Sequence, residues 1–194
     1  MATNRERAVR AAIELLGTEG VRSLTHGRVD ERAGLPRGST SNCFRTRASL
    51  FEGIVEAMLA DELPEVEVAF APTSADDFVA GLVRIFAFLT GPNRVVTAAR
   101  LALFVESGHD ETLRAMLARG RAGLVPYVRA AFETLGAPDP DLSTQVLATT
   151  FQGLLLHTLG VRAEVDAERV LRAVVRSALD HRDPDVLPHR VENV

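Results

Sequence analysis

The sequence predicts an all-α protein of about nine helices, with a small N-terminal three-helix domain joined to a larger helical C-terminal domain. Apolar residues recur at helical spacing in segment after segment, and clusters of Gly, Pro, Asn and Asp separate these segments. One stretch alternates apolar and polar residues at Val66, Val68 and Phe70, but no partner strand follows, so we predict a helix extension or a loop there. The expected division is residues 1–62, residues 63–182 and a flexible tail over residues 183–194.

The first helix begins near Thr3 or Asn4, either of which can cap a helix N-terminus with its side chain. Its apolar face consists of Val9, Ala12, Ile13, Leu15 and Leu16. Gly17 and Gly20 are expected to end it. This helix is interpreted as a buttress for the two helices that follow.

Residues 25 to 44 have the pattern of two short helices joined by a tight turn. Thr25 can cap the first of them, and Val29 and Ala33 then lie on one inward face. Gly34 can adopt the left-handed conformation that ends a helix, and Pro36 suits the first position of the next. We therefore predict a helix-turn-helix with a turn of about three residues.

The second helix of this motif has a narrow apolar side and a polar surface. Thr40 and Phe44 share the buried side. The remaining positions carry small or polar side chains, which are Arg37, Ser39, Ser41, Asn42 and Cys43. Small hydrogen-bonding groups suit a DNA major groove, where bulky side chains would block access to the base edges. The pattern thus predicts a DNA recognition helix.

The rest of the chain continues the helical pattern. Thr46 can cap a fourth helix that carries Leu50, Phe51 and Ile54 and is expected to break near Pro64, where the two domains join. Five further helices are predicted at about residues 76–90, 93–107, 111–136, 140–161 and 166–181. Asp76, Asp110, Asp141 and Asp166 favour the N-termini of four of these helices.

The N-terminal segment resembles the DNA-binding motif of the TetR family of transcriptional repressors. The matching positions are Gly20, Leu24-Thr25, Ala33-Gly34-Leu35, Gly38-Ser39, Phe44 and the run from Arg45-Thr46-Arg47 to Leu50-Phe51. The resemblance covers about the first sixty residues. Beyond them, only the length and the helical pattern are similar to the family.

The resemblance and the motif together give the expected DNA contacts, which are Thr25, His26, Arg28, Arg37, Gly38, Ser39, Ser41, Asn42 and Arg47. Some of these residues have a second interpretation. Thr25 is also an N-cap, His26 is as well explained by solvation, and Gly38 suits a relaxed turn. Asn42 and Cys43 stand where the family often has tyrosine and histidine, so the DNA contacts are expected to depend on Arg37, Ser39, Ser41, Asn42 and Arg47, with Arg45 as a weaker candidate.

Local charge supports binding to phosphate although the whole chain carries a net charge of −4. The segment from Arg22 to Arg47 has six arginines against Asp30 and Glu31, a local net charge of +4. Phosphate attraction acts within a Debye length of about 8 Å, so distant acidic residues do not cancel it.

The C-terminal domain is expected to bind a small-molecule effector and to form a homodimer. Its candidate pocket residues are Phe86, Phe104, Tyr127, Phe151 and His157, although aromatic residues at helical spacing are also ordinary core. The segments 142–159 and 170–179 are similar to the helix pair that builds a four-helix dimer interface in the family, and a buried bundle is the alternative.

The resemblance implies a mechanism. A homodimer places two recognition helices in successive major grooves, about 34 Å apart, on a near-palindromic double-stranded DNA operator. A small, largely apolar effector would pull on the fourth helix and weaken DNA binding, with a coupling of roughly 1 to 3 kcal/mol.

Other classes of function find little support in the sequence. Its five histidines form no metal-ligand pair at helical spacing, and no phosphate loop or nucleophile elbow occurs. Cys43 is the only cysteine, which excludes an intrachain disulfide. We therefore expect no catalysis, no metal, no cofactor, no membrane span and a cytoplasmic location. A helical dimerisation module without DNA binding is the remaining rival, and the absence of the tyrosine-histidine pair is its argument.

Overall fold

The computed structural model describes residues 2–69, 71–161 and 164–180. Over these ranges it contains nine α-helices and no strand, which confirms the predicted fold class. The helices are α1 (Asn4–Glu19), α2 (His26–Ala33), α3 (Ser39–Cys43), α4 (Arg47–Ala69), α5 (Ala75–Thr90), α6 (Arg94–Glu106), α7 (Glu111–Thr134), α8 (Pro140–Leu156) and α9 (Ala167–Leu179). A 3-10 turn at Val21–Ser23 precedes α2, and a π-helical turn at His157–Val161 follows α8. The predicted tail over residues 183–194 lies outside the described residues.

Capping side chains set the start of α1. Thr3 accepts a hydrogen bond from the backbone N–H of Glu6 at 3.2 Å, and the Glu6 carboxylate accepts one from the Thr3 N–H at 2.8 Å. This reciprocal pair satisfies two backbone donors that the helix leaves unpaired. Gly20, with φ of 80°, ends the helix as predicted, whereas Gly17 lies within it.

The turn of the helix-turn-helix is longer than predicted. Helix α3 begins at Ser39, and Pro36 lies in the turn, so the expected helix start at Pro36 is wrong. The reason is Gly38, whose φ of 89° is in the left-handed region and cannot belong to an α-helix. The predicted recognition helix is therefore short, and Arg37 lies before it instead of in its first turn.

Helix α4 does not break near Pro64, because it continues to Ala69. A proline removes only its own backbone donor, and a long helix can retain its other hydrogen bonds while bending locally. Pro126 is likewise inside α7. The stretch predicted as helix extension or loop is helical as far as Ala69.

Two apolar clusters form the core. The first joins α1, α2 and α4 to Ala99 and Leu103 of α6 and Leu113 of α7. The second lies among α5, α7, α8 and α9, where the rings of Phe78 and Phe132 meet edge to face with centroids 5.3 Å apart. The N-terminal helices therefore share their core with α6 and α7.

A glycine allows α1 to approach α6 closely. A Cβ atom added at Gly17 would lie 2.1 Å from the backbone oxygen of Val95. Backbone atoms cannot shift as cheaply as the end of a side chain, so only glycine fits here without moving one helix. Among the described residues, α1 packs against α6 more extensively than any other two helices pack together.

Within the described ranges, no single helix is long and apolar enough to cross a membrane. The consecutive helices α5 and α6 pass that test only as a pair, and they are bent by 88°.

Replacing Gly17 with alanine is expected to destabilise the fold by about 1–3 kcal/mol, since the methyl group overpacks the contact between α1 and α6. Thermal unfolding followed by circular dichroism measures the change. Gly123→Ala is the matched control, because Gly123 is also helical and has open space around its Cβ position. An unchanged melting temperature for Gly17→Ala would show that α1 and α6 do not approach as described.

Candidate nucleic-acid interface

Helix α2 begins as predicted, at an exposed threonine. The hydroxyl of Thr25 accepts a hydrogen bond from the backbone N–H of Arg28 at 3.4 Å. Gly34, in the left-handed conformation with φ of 61°, ends the helix, and Leu35 is buried directly after it. The start of α2 faces solvent, where the positive end of its dipole attracts anions.

A buried carboxylate fixes the recognition helix α3 to α2. Asp30, only 2% exposed, accepts hydrogen bonds from the backbone N–H groups of Gly38 at 2.8 Å and Thr40 at 2.7 Å. It also accepts one from the Thr40 hydroxyl at 2.6 Å. These bonds cap the N-terminus of α3 from a residue eight to ten positions away in the chain.

The hydrogen bonds explain why Asp30 remains ionised in the core. Burial raises its pKa, but the bonds from Thr40 and Gly38 and the nearby His26 outweigh burial and leave the pKa lowered. Asp30 is not among the residues for which the sequence predicts a role. The available signal was an acidic residue beside Val29 on the buried face of α2, together with a threonine on the buried face of α3.

Arg7 joins α1 to the end of α2. Its guanidinium donates hydrogen bonds to the backbone oxygens of Ala33 at 2.8 Å and Gly34 at 3.1 Å. Carbonyls at a helix C-terminus lack partners in the helix and attract cations. This residue was also not identified from the sequence.

The recognition helix presents the polar face that the sequence predicted. Thr40 and Phe44 are buried at 0% and 2% exposure. Ser41, Asn42 and Cys43 are exposed, and Gly38 and Ser39 are half-buried. The Ser41 hydroxyl donates a hydrogen bond to the Gly38 oxygen at 2.9 Å. Asn42 is the longest polar side chain on the exposed face of α3.

The arginines of this surface divide into two groups. In the first, Arg22, Arg37 and Arg45 are exposed and form no hydrogen bond or ion pair with any described residue. In the second, Arg28 and Arg32 pair with Glu19, and Arg47 reaches the Val21 oxygen at 3.3 Å. The sequence predicts DNA contacts for Arg37, Arg28 and Arg47 alike, because only tertiary contacts distinguish a paired guanidinium group from an unpaired one.

Arg47 connects the helix-turn-helix to the C-terminal helices. Its guanidinium lies 5.2 Å from the centre of the Phe51 ring and 3.9 Å from the carboxylate of Glu106 on α6. The side chain is half exposed, so the ion pair is weak in water. Arg47 thus links the start of α4 to α6, the helix that also packs against α1.

His26 lies half-buried in the first turn of α2. Its Nε2 atom is buried and has no hydrogen-bond partner in the described part of the chain. The imidazole is close enough to Asp30 to favour the charged carboxylate. The half-buried position of His26 beside Asp30 is therefore better explained by an interaction with that carboxylate than by solvation.

The structure places the five predicted pocket residues differently from one another. Phe86 and Phe151 meet edge to face in the second core cluster, with centroids 5.9 Å apart. Tyr127 is half-buried on α7. Phe104 is 38% exposed on α6, and His157 is exposed at the π-helical turn. Only Phe86 and Phe151 are therefore brought into direct contact among the contacts described.

No group of three or more His, Cys, Asp or Glu side chains over residues 2–69, 71–161 and 164–180 is placed to hold a metal ion.

These features define an all-helical protein with an N-terminal helix-turn-helix and a helical C-terminal domain. Residues 73–181, more than half of the chain, match the family profile described as "Tetracyclin repressor-like, C-terminal domain". The chain belongs to the TetR family, as the helix-turn-helix positions predicted. No curated protein sequence gives a significant match.

Solved structures share this fold over nearly the whole chain. A transcriptional regulator from Rhodococcus sp. Rha1 is 18% identical, with a TM-score of 0.80, over 91% of this chain and 96% of that chain. A transcriptional regulator from Streptomyces coelicolor A3(2) is 18% identical, with a TM-score of 0.75, over 92% and 100%. The multidrug binding protein EbrR, solved with ethidium, is 22% identical, with a TM-score of 0.75, over 92% and 99%.

Replacing Asp30 with asparagine is expected to destabilise the protein by about 2–3 kcal/mol at neutral pH, because an amide nitrogen would face backbone donors. The pKa of Asp30 is lowered below its ordinary value of 3.8, so its contribution to stability is present above pH 3.8. It is lost as the pH falls through the folded-state value.

Thermal unfolding between pH 7 and pH 3 measures both effects. Asp30→Asn is expected to remove this part of the acid dependence, whereas Glu31→Gln, an exposed neighbour on α2, keeps it. Equal stability of Asp30→Asn and the parent at pH 7 would contradict the capping role.

Proposed function

We propose that this TetR-family chain is a ligand-responsive transcriptional regulator, and a repressor, that binds a near-palindromic operator as a homodimer. The observation that carries the proposal is the exposed polar face of α3, fixed in place by Asp30 and flanked by unpaired arginines. The solved structures of similar fold described as transcriptional regulators support it.

We assign different exposed side chains to the phosphates and to the base edges of DNA. Arg37 and Arg45 flank α3 on either side and carry unpaired guanidinium groups, so we assign them to phosphate or guanine. Ser39, Ser41 and Asn42 offer hydrogen bonds to base edges from α3 itself. Thr25 and the start of α2 are assigned to a backbone phosphate, which a helix N-terminus attracts.

Arg22 joins this contact set although the sequence analysis did not name it as a contact. It is exposed and unpaired in the short turn that immediately precedes α2. Arg28 and Arg47 become conditional contacts, because each must release an intramolecular partner before it can bind phosphate fully. Gly38 is fully explained by the turn, since its positive φ needs a glycine.

An exposed apolar stripe on α8 supports the homodimer. Leu142, Val146 and Leu156 are 56%, 45% and 47% exposed, and they fall on one side of the helix with Thr149 and Gly153. The opposite side, with Leu147 and Leu154, belongs to the second core. A second copy of α8 would bury this stripe around a twofold axis.

Helix α6 gives a route from an effector to the DNA-binding helices. Leu101 of α6 packs against the second core, which holds Phe86 and Phe151, whereas Ala99 and Leu103 pack in the first core with α1 and α4. A small, largely apolar effector bound beside those aromatic rings would move α6 and hence α1. EbrR, solved with ethidium, shows a protein of this fold with a small molecule.

Two further expectations belong to this proposal. We assign the protein to the cytoplasm, where a regulator meets its operator. We assign it no catalytic activity, because regulation by DNA binding requires none. The alternative function is a dimerisation module without DNA binding, and a measurement of DNA binding distinguishes the two.

Removing both Arg37 and Arg45 is expected to weaken binding to promoter DNA and to make it less salt-dependent. Each lost phosphate contact lowers the slope of log K against log salt by roughly 0.9, so the double alanine variant should lose up to about 1.8. Fluorescence anisotropy with labelled duplex from 50 to 300 mM salt measures this slope.

The matched control is the double variant Arg84→Ala and Arg94→Ala, which removes two exposed arginines from the C-terminal helices. It should bind like the parent. If both double variants bind alike, the contact map is wrong, and if the parent binds no DNA, the dimerisation module is favoured.

Replacing Val146 with glutamate is expected to convert a dimer to a monomer, because a charge would be buried within the α8 stripe. Light scattering coupled to size exclusion reports the mass. Val105→Glu, at a position 73% exposed on α6, introduces the same charge outside the stripe and should leave the mass unchanged. A dimer that survives Val146→Glu would place the interface elsewhere.

A further inference from the structure

We propose that Glu19 acts as an internal competitor of DNA phosphate, holding Arg28 and Arg32 so that they add little to sequence-independent DNA affinity. The inference rests on the proposed DNA binding and names a residue that sets its strength. Glu19 is the last residue of α1, and the two arginines lie four residues apart on one side of α2.

The carboxylate of Glu19 binds both guanidinium groups at once. Its Oε2 accepts a hydrogen bond from Arg28 Nη2 at 2.5 Å, and its Oε1 accepts one from Arg32 Nη2 at 2.6 Å. Glu14, five residues earlier on α1, has a carboxylate oxygen 3.8 Å from Arg32 Nη1. Two anionic oxygens shared between two guanidinium groups resemble the way that arginines bind a phosphate.

The electrostatics favour a charged Glu19. The hydrogen bond from Arg28 is the main reason that the pKa of Glu19 is lowered, and Arg32 adds to it, although burial acts in the opposite direction. The three side chains are partly exposed, at 34% for Glu19, 46% for Arg28 and 36% for Arg32. Ion pairs in contact with water are weak enough to exchange.

The position of these residues makes the competition relevant to DNA. Arg28 is in the first turn of α2, and its backbone N–H bonds to the capping hydroxyl of Thr25, which we assign to a phosphate. A phosphate at this end of α2 and the Glu19 carboxylate would compete for the same guanidinium. Arg22, Arg37 and Arg45 have no such competitor among the described residues.

The consequence is selectivity. Phosphate contacts strengthen binding to every duplex equally, whereas base contacts strengthen binding to the operator alone. By restraining two arginines, Glu19 lowers the affinity for non-operator DNA and leaves a larger share of the affinity to the side chains on α3.

The test compares the parent with Glu19→Gln, which keeps the size of the side chain and removes its charge. With a duplex of random sequence, the slope of log K against log salt should become steeper by roughly 0.9 for each arginine released. Adding Arg28→Ala to Glu19→Gln should reverse at least half of that increase. Thermal unfolding confirms that each variant is folded.

Glu31→Gln is the matched control, because it removes an equal charge from the same surface, and Glu31 forms no ion pair among the described contacts. Its slope should stay closer to that of the parent. The inference is overturned if Glu19→Gln and Glu31→Gln behave alike, or if the added Arg28→Ala changes nothing. Those results leave the proposed function intact, whereas a parent that binds no DNA at any salt concentration overturns both.

Discussion

The orientation of the recognition helix depends on one buried carboxylate. Helix α3 is only five residues long, too short to be stable by itself, so contacts outside it must hold it in place. Asp30 supplies them through its bonds to Gly38 and Thr40, and Phe44 anchors the other end in the core. The exposed face between these two anchors can then be small and polar, because it need not contribute to stability.

Helix α6 has a comparable role on a larger scale. It packs against α1 through Gly17, reaches the start of α4 through Glu106 and Arg47, and contacts the second core through Leu101. Because the first core cluster joins the N-terminal helices to α6 and α7, a shift of α6 would also displace α1 and α4. Close packing transmits such shifts, since an interior at native density leaves no space to absorb them.

The charge available on the proposed DNA-binding surface depends on ion pairing as well as on composition. The segment from Arg22 to Arg47 has a net charge of +4 when its own residues are counted, but Glu19 lies just outside it and pairs with two of its arginines. The field that a phosphate meets is therefore uneven, strongest where the guanidinium groups are unpaired and weaker along the side of α2 that faces Glu19.

The sequence by itself determined the class of the fold and the position of the DNA-binding motif. Local chemistry is enough for these, because a capping threonine at Thr25 and a left-handed glycine at Gly34 depend on near neighbours in the chain, and the spacing of Thr40 and Phe44 marks one face of a helix. The start of α3 was not determined in this way. It depends on Asp30, which is distant in sequence, and on the φ of Gly38.

Tertiary structure alone decided which arginines are available. Arg28, Arg37 and Arg47 look alike in the sequence, since each is a cation in a basic segment. Only the placement of Glu19 beside Arg28, and of Val21 and Glu106 beside Arg47, distinguishes them from Arg37. Hydrogen bonds and ion pairs between distant residues leave no periodic signal in a sequence, because they depend on how the helices pack.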